Sequence, residues 1–371
     1  MNAVVLHENL NKALAVASRV VATKAQVAIL GNVLLREKDG AMEVVATNLE
    51  MGVRLVVPGK IEKGFEITVP ARQLAEFVSG VPKGQIEMEV SEGRLSVRSA
   101  SFKAGLSGIS ASEFPVVASV SGEETIILKK KEFVEAMEKV VFAAASDEGR
   151  PVLTGVMIEA GEKVVVMVAT DGYRLSKAVI EREKPKNDKK NFKMLVPARA
   201  VGELLRLCSE NGTENDVEAW LTPEASQVVF GLGGVELVSR LIEGNFPDYQ
   251  KIIPKGGETS VEIDREELIR AVKLASIFAR DSANIVKLSF EGGKAKISAS
   301  SPQMGVNEGE VEIEKTGGDM EIAFNYRYLL ELLNNLTTAS VSMRLDGPLS
   351  PAGFYEGEEF LHIIMPVRVS G

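Results

Sequence analysis

Val69-Pro70-Ala71-Arg72 returns as Val196-Pro197-Ala198-Arg199, at an offset of 127 residues, and this repeat decides the fold. Each copy follows an aromatic-led run, FEIT (65–68) or FKML (192–195), and opens an apolar-periodic stretch, QLAEFVSG (73–80) or AVGELLRLC (200–208). A weaker third copy, FNYR (324–327), sits between MEIA (320–323) and YLLELLNNL (328–336). Working outward, VVATNLEMGVRL (44–55) matches MVATDGYRLSKA (167–178), with KISASSPQMGVN (296–307) as a distant third. SEFPVV (112–117) matches GNFPDY (244–249). Helix-like runs precede these anchors at 7–22, 129–145 and 264–280. Recurrence in a fixed order means one supersecondary unit has been multiplied. Three units of about 124 residues fill the chain, a normal domain size. Junctions are expected at the turn-rich segments VSGEET (120–125) and PKGGET (254–259), giving domains 1–121, 122–253 and 254–371.

Each unit halves again. NAVVL reads as a strand, 8–22 as a helix, and LGNVLLRE, MEVVAT and MGVRLVV as alternating strands. FEITV, the helix at 71–79 and the strands IEMEV, RLSVRS and FKAGLSG repeat the order. Every half is therefore β-α-β-β-β, an α+β class in which helices cover one face of antiparallel sheets.

Composition narrows the function. The chain has 371 residues, 45% apolar and 26% charged, with net charge −9. That is the profile of an ordinary globular protein of two or three domains. One cysteine, Cys208, excludes a disulfide framework, and two histidines, His7 and His362, exclude a multi-histidine metal centre. MNAVVLHENL lacks the basic region and apolar run of a signal peptide. No segment reaches the length of a membrane span, so a cytoplasmic location is expected. Charge is unevenly placed. The six expected helices carry 14 basic and 10 acidic residues, leaving 29 basic and 42 acidic for the rest. Solvated lysine-rich helix faces would also give this pattern.

No catalytic or metal site stands out, and no cofactor is implied. His362 lies in the apolar run FLHIIMPVRV and is expected to be a satisfied strand histidine. Cys208, near a helix end, reads as a small buried hydrophobe. GLGG (231–234) lacks the strand–turn–helix context of a dinucleotide loop and reads as a hairpin turn. Asp171 is imaginable as an acid, but Asp171-Gly172 is expected as a two-residue hairpin turn. An enzyme on this scaffold would have to rely on Asp171 or His362. The turns equivalent to Asp171, ATN and SAS, carry no acid, as befits a structural element. The apolar terminus IIMPVRVSG suggests docking along a domain boundary, or completion of a sheet edge.

Taken in order, ILGNVLL (29–35), ATNLEM (46–51), both VPAR copies, VATDGYRL (168–175), GNFPDY (244–249) and MPVR (365–368) resemble the bacterial sliding-clamp family, the beta subunits of DNA polymerase III. The resemblance covers the whole chain. It implies three clamp domains, and a homodimer closed head to tail with helices lining a hole around duplex DNA and sheets outside. It implies a non-enzymatic processivity factor that tethers the DNA polymerase III catalytic subunit. It also implies loading by a clamp loader, and binding of other polymerases and repair proteins through short linear motifs. Basic helices would then attract phosphates and acidic outer surfaces repel them. Contacts without base readout suit a ring that slides.

The resemblance carries roles to particular residues. Lys24, Arg72, Arg150 and Arg199 are expected to contact DNA. A partner-peptide pocket between the second and third domains is expected from Leu153, Thr170, Gly172, Tyr173, Arg174, Leu175, Pro247, Lys251 and Ile252. Its other wall would be Tyr328, Leu349, Met365, Pro366, Val367 and Arg368. Arg174 and Arg368 are expected to orient the peptide. Dimer contacts are expected at FKAGLSG (102–108) and near 271–290. The chain departs from the family pattern at Tyr173, where others carry His, and at Pro351. It also departs in lacking the proline that often precedes ILGN and in the tail Val369-Ser370-Gly371. These departures bear on which peptides bind and not on the fold.

Overall fold

The structure, a computed structural model, describes residues 1–22, 27–119, 125–182, 192–210, 215–222, 224, 226–254 and 256–368. The six halves expected from the sequence are all present. The first is β1 (Asn2–Leu6), α1 (His7–Val20), β2 (Asn32–Lys38), β3 (Ala41–Thr47) and β4 (Met51–Val57). A short β5 (Gly59–Ile61) leads to β6 (Glu66–Pro70), α2 (Ala71–Gly80), β7 (Gln85–Ser91), β8 (Arg94–Ser99) and β9 (Phe102–Ser107). The second repeat has β10 (Thr125–Leu128), α3 (Lys130–Val141), β11 (Gly155–Ala160), β12 (Val164–Thr170) and β13 (Arg174–Glu181). It continues with β14 (Phe192–Pro197), α4 (Ala198–Glu210), β15 (Val217–Leu221), β16 (Gln227–Leu232) and β17 (Val235–Arg240). The third has β18 (Thr259–Asp264), α5 (Arg265–Ala279), β19 (Ile285–Glu291), β20 (Lys294–Ser301) and β21 (Gly305–Gly317). It ends with β22 (Met320–Asn325), α6 (Tyr326–Asn335), β23 (Ser340–Leu345), β24 (Ala352–Glu356) and β25 (Phe360–Ile364).

The halves of a repeat exchange their opening strands. β1 pairs with β7 of the other half, and β6 pairs back with β2. The same exchange joins β10 to β15, β14 to β11, β18 to β23 and β22 to β19. Closing strands join repeats: β4 pairs with β17, and β13 with β25. The result is a five-stranded, an eight-stranded and a twelve-stranded sheet, antiparallel throughout.

The described chain forms two compact units, 1–130 with 206–241 and 131–205 with 242–371. The division runs through the second repeat because the sheets, not the repeats, hold the units together. The first unit contains the five- and eight-stranded sheets, and the second the twelve-stranded sheet.

Burial follows the pattern that the two periods impose. On β7, Ile86 and Met88 are buried while Gln85, Glu87 and Glu89 are exposed, so one face is wet. On α1, Leu10, Ala13, Leu14, Ala17 and Val20 form one buried stripe. Leu14 and Leu74 are fully buried, and truncating either to alanine would cost about 2–5 kcal/mol. Hairpin turns at Asp39-Gly40, Glu92-Gly93 and Gly233-Gly234 have positive φ at both residues, as two-residue turns require. No helix among the described residues is long and apolar enough to cross a membrane.

Candidate functional site

The turn between β12 and β13 carries the residues around which the candidate site is built. Asp171-Gly172 was expected to be a two-residue hairpin, and it is not. Thr170 pairs across to Leu175, so four residues span the turn. Side chains shape it. Thr170 Oγ1 donates to the Arg174 carbonyl at 2.6 Å and accepts from Gly172 N–H at 3.0 Å. Asp171 Oδ1 accepts from Tyr173 N–H at 2.8 Å and Arg174 N–H at 3.0 Å. Local side-chain acceptors have displaced the tighter turn. Gly172 has φ +92° and lies against the Arg150 guanidinium, 2.9 Å from where a Cβ would stand.

Arg174 is buried, and each guanidinium nitrogen is engaged. Nε donates to Asp171 Oδ2 at 3.1 Å, Nη1 to Glu331 Oε2 at 2.7 Å, and Nη2 to the Phe142 carbonyl at 2.8 Å. The charge lies 4.8 Å from the Tyr328 ring centroid and 5.4 Å from that of Phe142. Tyr328 in turn stacks on Tyr173, with centroids 6.5 Å apart. Burial, then the neighbouring Asp171 carboxylate, pushes the Tyr328 hydroxyl pKa up. Arg174 thus acts on the surface through the turn and the Tyr328 ring.

Behind it, His362 stacks on Phe142 at 5.5 Å and sits edge-on to Phe354 at 6.5 Å. His362 Nδ1 and Ser176 Oγ are 2.6 Å apart, but Nε2 is buried without a hydrogen-bond partner among the described residues. The histidine expected to be satisfied is therefore satisfied on one side only. Burial, then the Arg174 charge, lowers its pKa to about 3, so it is neutral at neutral pH. Cys208 is buried as expected, and burial pushes its thiol up to about 11, which leaves it unreactive.

The residues expected in the pocket fall into layers. Leu175 lies in a core cluster with Met157, Val168, Leu195, Leu361 and Ile363, and Leu153 and Thr170 are also buried. Val152, Ile242, Phe246, Tyr249 and Ile253 pack on this cluster, which brings the 246–253 segment to the same wall. Pro247 and Ile252 are exposed there, and Lys251 pairs with Asp248 at 3.0 Å. The apolar tail does dock. Met365 N–H donates to the Tyr173 carbonyl at 2.9 Å, and Val367 N–H to that of Ala323 at 2.8 Å. Met365 is exposed, and Pro366 and Val367 are half-buried. Leu349 and Arg368 are exposed, and the contacts that bind this group together do not include them. Pro351 is half-buried beside β24. Phe142 and Glu331 are members of the site that sequence reasoning missed, since neither falls in an anchor segment.

Of the residues expected at DNA, Lys24 lies outside the described residues, as does the tail 369–371. Arg150 donates from Nη2 to the Asp171 carbonyl at 2.8 Å, so it belongs to the surroundings of the turn. Arg72 and Arg199 are exposed at the second position of α2 and α4. Arg327 occupies the same position of α6, and it was legible in FNYR but not carried over. A cation in the first helical turn opposes the helix dipole, so these arginines are not there to stabilise their helices. Lys12, Arg206, Arg270, Lys273 and Arg280 are further exposed helix cations with no ion pair among the described residues.

Three repeats of two β-α-β-β-β halves each, with exposed helix cations and an apolar wall beside the tail, define a DNA-clamp type of protein. Comparison with known proteins agrees along the whole length. Family models for the N-terminal, central and C-terminal domains of the DNA polymerase III beta subunit match residues 1–118, 127–248 and 250–368. The beta sliding clamp of Pseudomonas aeruginosa is 30% identical over 373 residues, covering 100% of both chains. That of Synechococcus elongatus is 29% identical over 377 residues, again covering 100% of both. The DNA polymerase III beta subunit structure from Thermotoga maritima superimposes with TM-score 0.90 at 28% identity, covering 100% of both chains. The P. aeruginosa beta subunit structure gives TM-score 0.91 at 29% identity, covering 99% of this chain and 100% of the other. The chain belongs to the beta sliding clamp family, the non-catalytic beta subunits of DNA polymerase III.

Proposed function

We propose that two copies of this chain close head to tail around duplex DNA and hold the replicative polymerase there. One observation carries the ring. Of the six closing strands, β4 pairs with β17 and β13 with β25, which leaves β9 and β21. A third junction of the same kind would pair β9 of one chain with the 305–311 edge of β21 in another. Apolar side chains flank both edges: Phe102 on β9, Val306 on β21, and Leu274 and Ile277 on α5 are all exposed. The expected contact regions, 102–108 and 271–290, include Phe102, Leu274 and Ile277, while Val306 adds the β21 edge. A contact that pairs the first domain with the third is heterologous, and two copies close it.

In this reading the domains are 1–121, 122–253 and 254–371. Arg72, Arg199 and Arg327, with Lys24 and the other exposed helix cations, meet phosphates without reading bases. The wall built by Tyr173, Tyr328, Ile252 and Met365 takes the apolar anchors of short peptides from the polymerase catalytic subunit, the clamp loader and repair proteins. Tethering raises effective concentration, so a released polymerase rebinds before it diffuses away. The setting is the bacterial cytoplasm.

The test is topological. The protein is loaded with its cognate clamp loader and ATP onto a nicked circular plasmid, washed in high salt, and the plasmid is then linearised. Retention on the circle with loss on cutting is the expected result. Loss in salt from circle and line alike would overturn the ring. An L274K/I277K variant is expected to run as a monomer in light scattering and to give no retention.

A further inference from the structure

The first unit carries a second recessed surface, far in sequence from the tail-side wall. On the eight-stranded sheet, Ile127 of β10, Glu218 of β15, Gly231 of β16, Glu236 of β17 and Arg54 of β4 lie opposite one another in succession. Directly opposed residues project to the same face, so they form one row. A cavity of about 780 Å3 opens over that row. This lies within the range of roughly 300–1,000 Å3 usual for ligand sites.

Gly231 leaves a notch in the row. A Cβ there would stand 2.7 Å from Cη2 and Cζ3 of Trp220 and 3.8 Å from the Glu218 Cβ. The six-membered ring of the indole therefore rests in the notch, with Glu218 and Glu236 flanking the glycine it covers. Glu218 is exposed and has no hydrogen bond or ion pair among the described residues. Glu236 Oε2 is buried and accepts no hydrogen bond among them, and its ionic contact is Arg54 Nε at 3.6 Å. A shielded carboxylate oxygen without a donor is costly unless something supplies one.

The cations of the cavity spend their hydrogen bonds on Glu43, Arg54 keeping only the longer ionic contact with Glu236. Arg54 donates to Glu43 Oε1 from Nε at 3.1 Å and from Nη2 at 2.5 Å, and Lys38 reaches the same carboxylate at 3.4 Å. Arg36 adds a bond of 2.6 Å. Burial raises the Glu43 pKa, but these arginines overcome it and hold the carboxyl below its usual value. The Trp220 end is left anionic, with Asp216 as a third carboxylate in the lining.

We propose that this cavity is a second docking site, which receives the guanidinium of an arginine in an extended segment of a partner protein. The planar cation stacks on the indole face, and its fork donates to Glu218 and Glu236. A lysine ammonium has the charge but neither the plane nor the fork. The cavity exceeds one side chain, so residues flanking the arginine fill the remainder. An acidic side chain would meet three carboxylates, and the cations opposite them are already bonded to Glu43.

Trp220 is the chain's only tryptophan, so its emission reports on this site alone. The full-length protein is titrated with N-acetyl-arginine-amide, with N-acetyl-citrulline-amide as the isosteric uncharged control. The expected result is a saturable change in emission with the arginine probe and none with citrulline. E218Q, at an exposed position, is expected to weaken the response at least threefold, and E218Q/E236Q at least tenfold. A non-saturating response, or equal responses to both probes, would overturn the assignment. So would wild-type affinity in both variants, or saturation by N-acetyl-glutamate-amide in place of the arginine probe.

Discussion

Thr47–Met51 in the first repeat and Thr170–Arg174 in the second are the same turn. Thr47 Oγ1 donates to the Met51 carbonyl at 3.0 Å and accepts from Leu49 N–H at 3.1 Å, as Thr170 does with Arg174 and Gly172. Asn48 Oδ1 accepts from Glu50 N–H at 3.0 Å and Met51 N–H at 2.8 Å, as Asp171 does from Tyr173 and Arg174. The third position has positive φ in both, +75° at Leu49 and +92° at Gly172. The third repeat keeps the hydroxyl alone: Ser301 Oγ accepts from Gln303 and Met304 N–H, both at 3.3 Å. The third residue changes from leucine to glycine on the same backbone, and the last two change in what they build. Glu50-Met51 ends the first turn, while Tyr173-Arg174 builds a stack and an ion-pair network on the second. The backbone platform is common property, and function is grafted onto two side chains. Asp171 is an acid for which an amide serves equally well in the sister turn, which removes the strongest ground for an enzymatic reading.

The largest difference between the turns is expected at their final residue. Arg174→Ala should cost about 2–3 kcal/mol, because Asp171 and the Phe142 carbonyl lose a buried donor. It should also abolish binding of a labelled apolar peptide in fluorescence anisotropy. Met51→Ala should lower stability by a comparable amount in urea melts and leave peptide affinity unchanged. Intact peptide binding in Arg174→Ala would break the comparison.

Acid should separate the turns next. His362 stands behind Arg174, with no counterpart behind Met51. Its folded pKa, about 3, lies below the usual value of 6.5. Between those values the unfolded chain binds the extra proton, so stability rises with pH and is lost on acidification through that window. Between pH 7 and pH 4.5 the loss from this group should be on the order of 2 kcal/mol. Urea melts at the two pH values should show a smaller difference in His362→Gln than in the wild type.

The hydroxyls should behave alike. Thr170→Val strands the Arg174 carbonyl and the Gly172 N–H, while in Thr47→Val the Met51 carbonyl keeps the Asn48 N–H at 3.0 Å and the Leu49 N–H is stranded; each should cost about 1–2 kcal/mol. A difference beyond about 1 kcal/mol would show that the platform itself has diverged. The smallest effect is a gain. Leu49→Gly relieves a positive φ that a side chain adopts poorly and should stabilise by up to about 1 kcal/mol. A thermal melt showing loss instead would mean that the Leu49 side chain contributes packing that its exposure hides.

Most of this architecture was legible because helices and strands announce themselves by period. The stripes of α1 and α5, the alternation of β7, and the VPAR and FNYR joints fixed six halves and their order. Asp39-Gly40 is the two-residue turn its dipeptide suggests, yet Asp171-Gly172 is not. The difference lies in Thr170, whose hydroxyl competes for the turn's N–H groups, and single dipeptides do not register such competition. The exchange of opening strands could not be seen, because β1 and β6 have the same local pattern whichever half they join. Nor could the Trp220 cavity. Glu218, Gly231, Glu236 and Arg54 meet only through the register of β15, β16, β17 and β4, and register is a tertiary property. Phe142 and Glu331 were missed for the same reason, since each touches Arg174 across the fold.

The exchanged strands also set a schedule for synthesis. β1 emerges at residue 2 but pairs with β7 at residues 85–91, so the first helix waits for its own strand to be anchored. At about 5–20 residues per second, that wait lasts several seconds on the ribosome. β13 waits longer still, from residue 181 to β25 at residues 360–364. A chain that stops short of Phe360 is left with the β13 edge bare, an open template for aggregation and a handle for proteolysis. β25 is therefore the guard of the β13 edge, which stays uncovered until residues 360–364 have been made and paired.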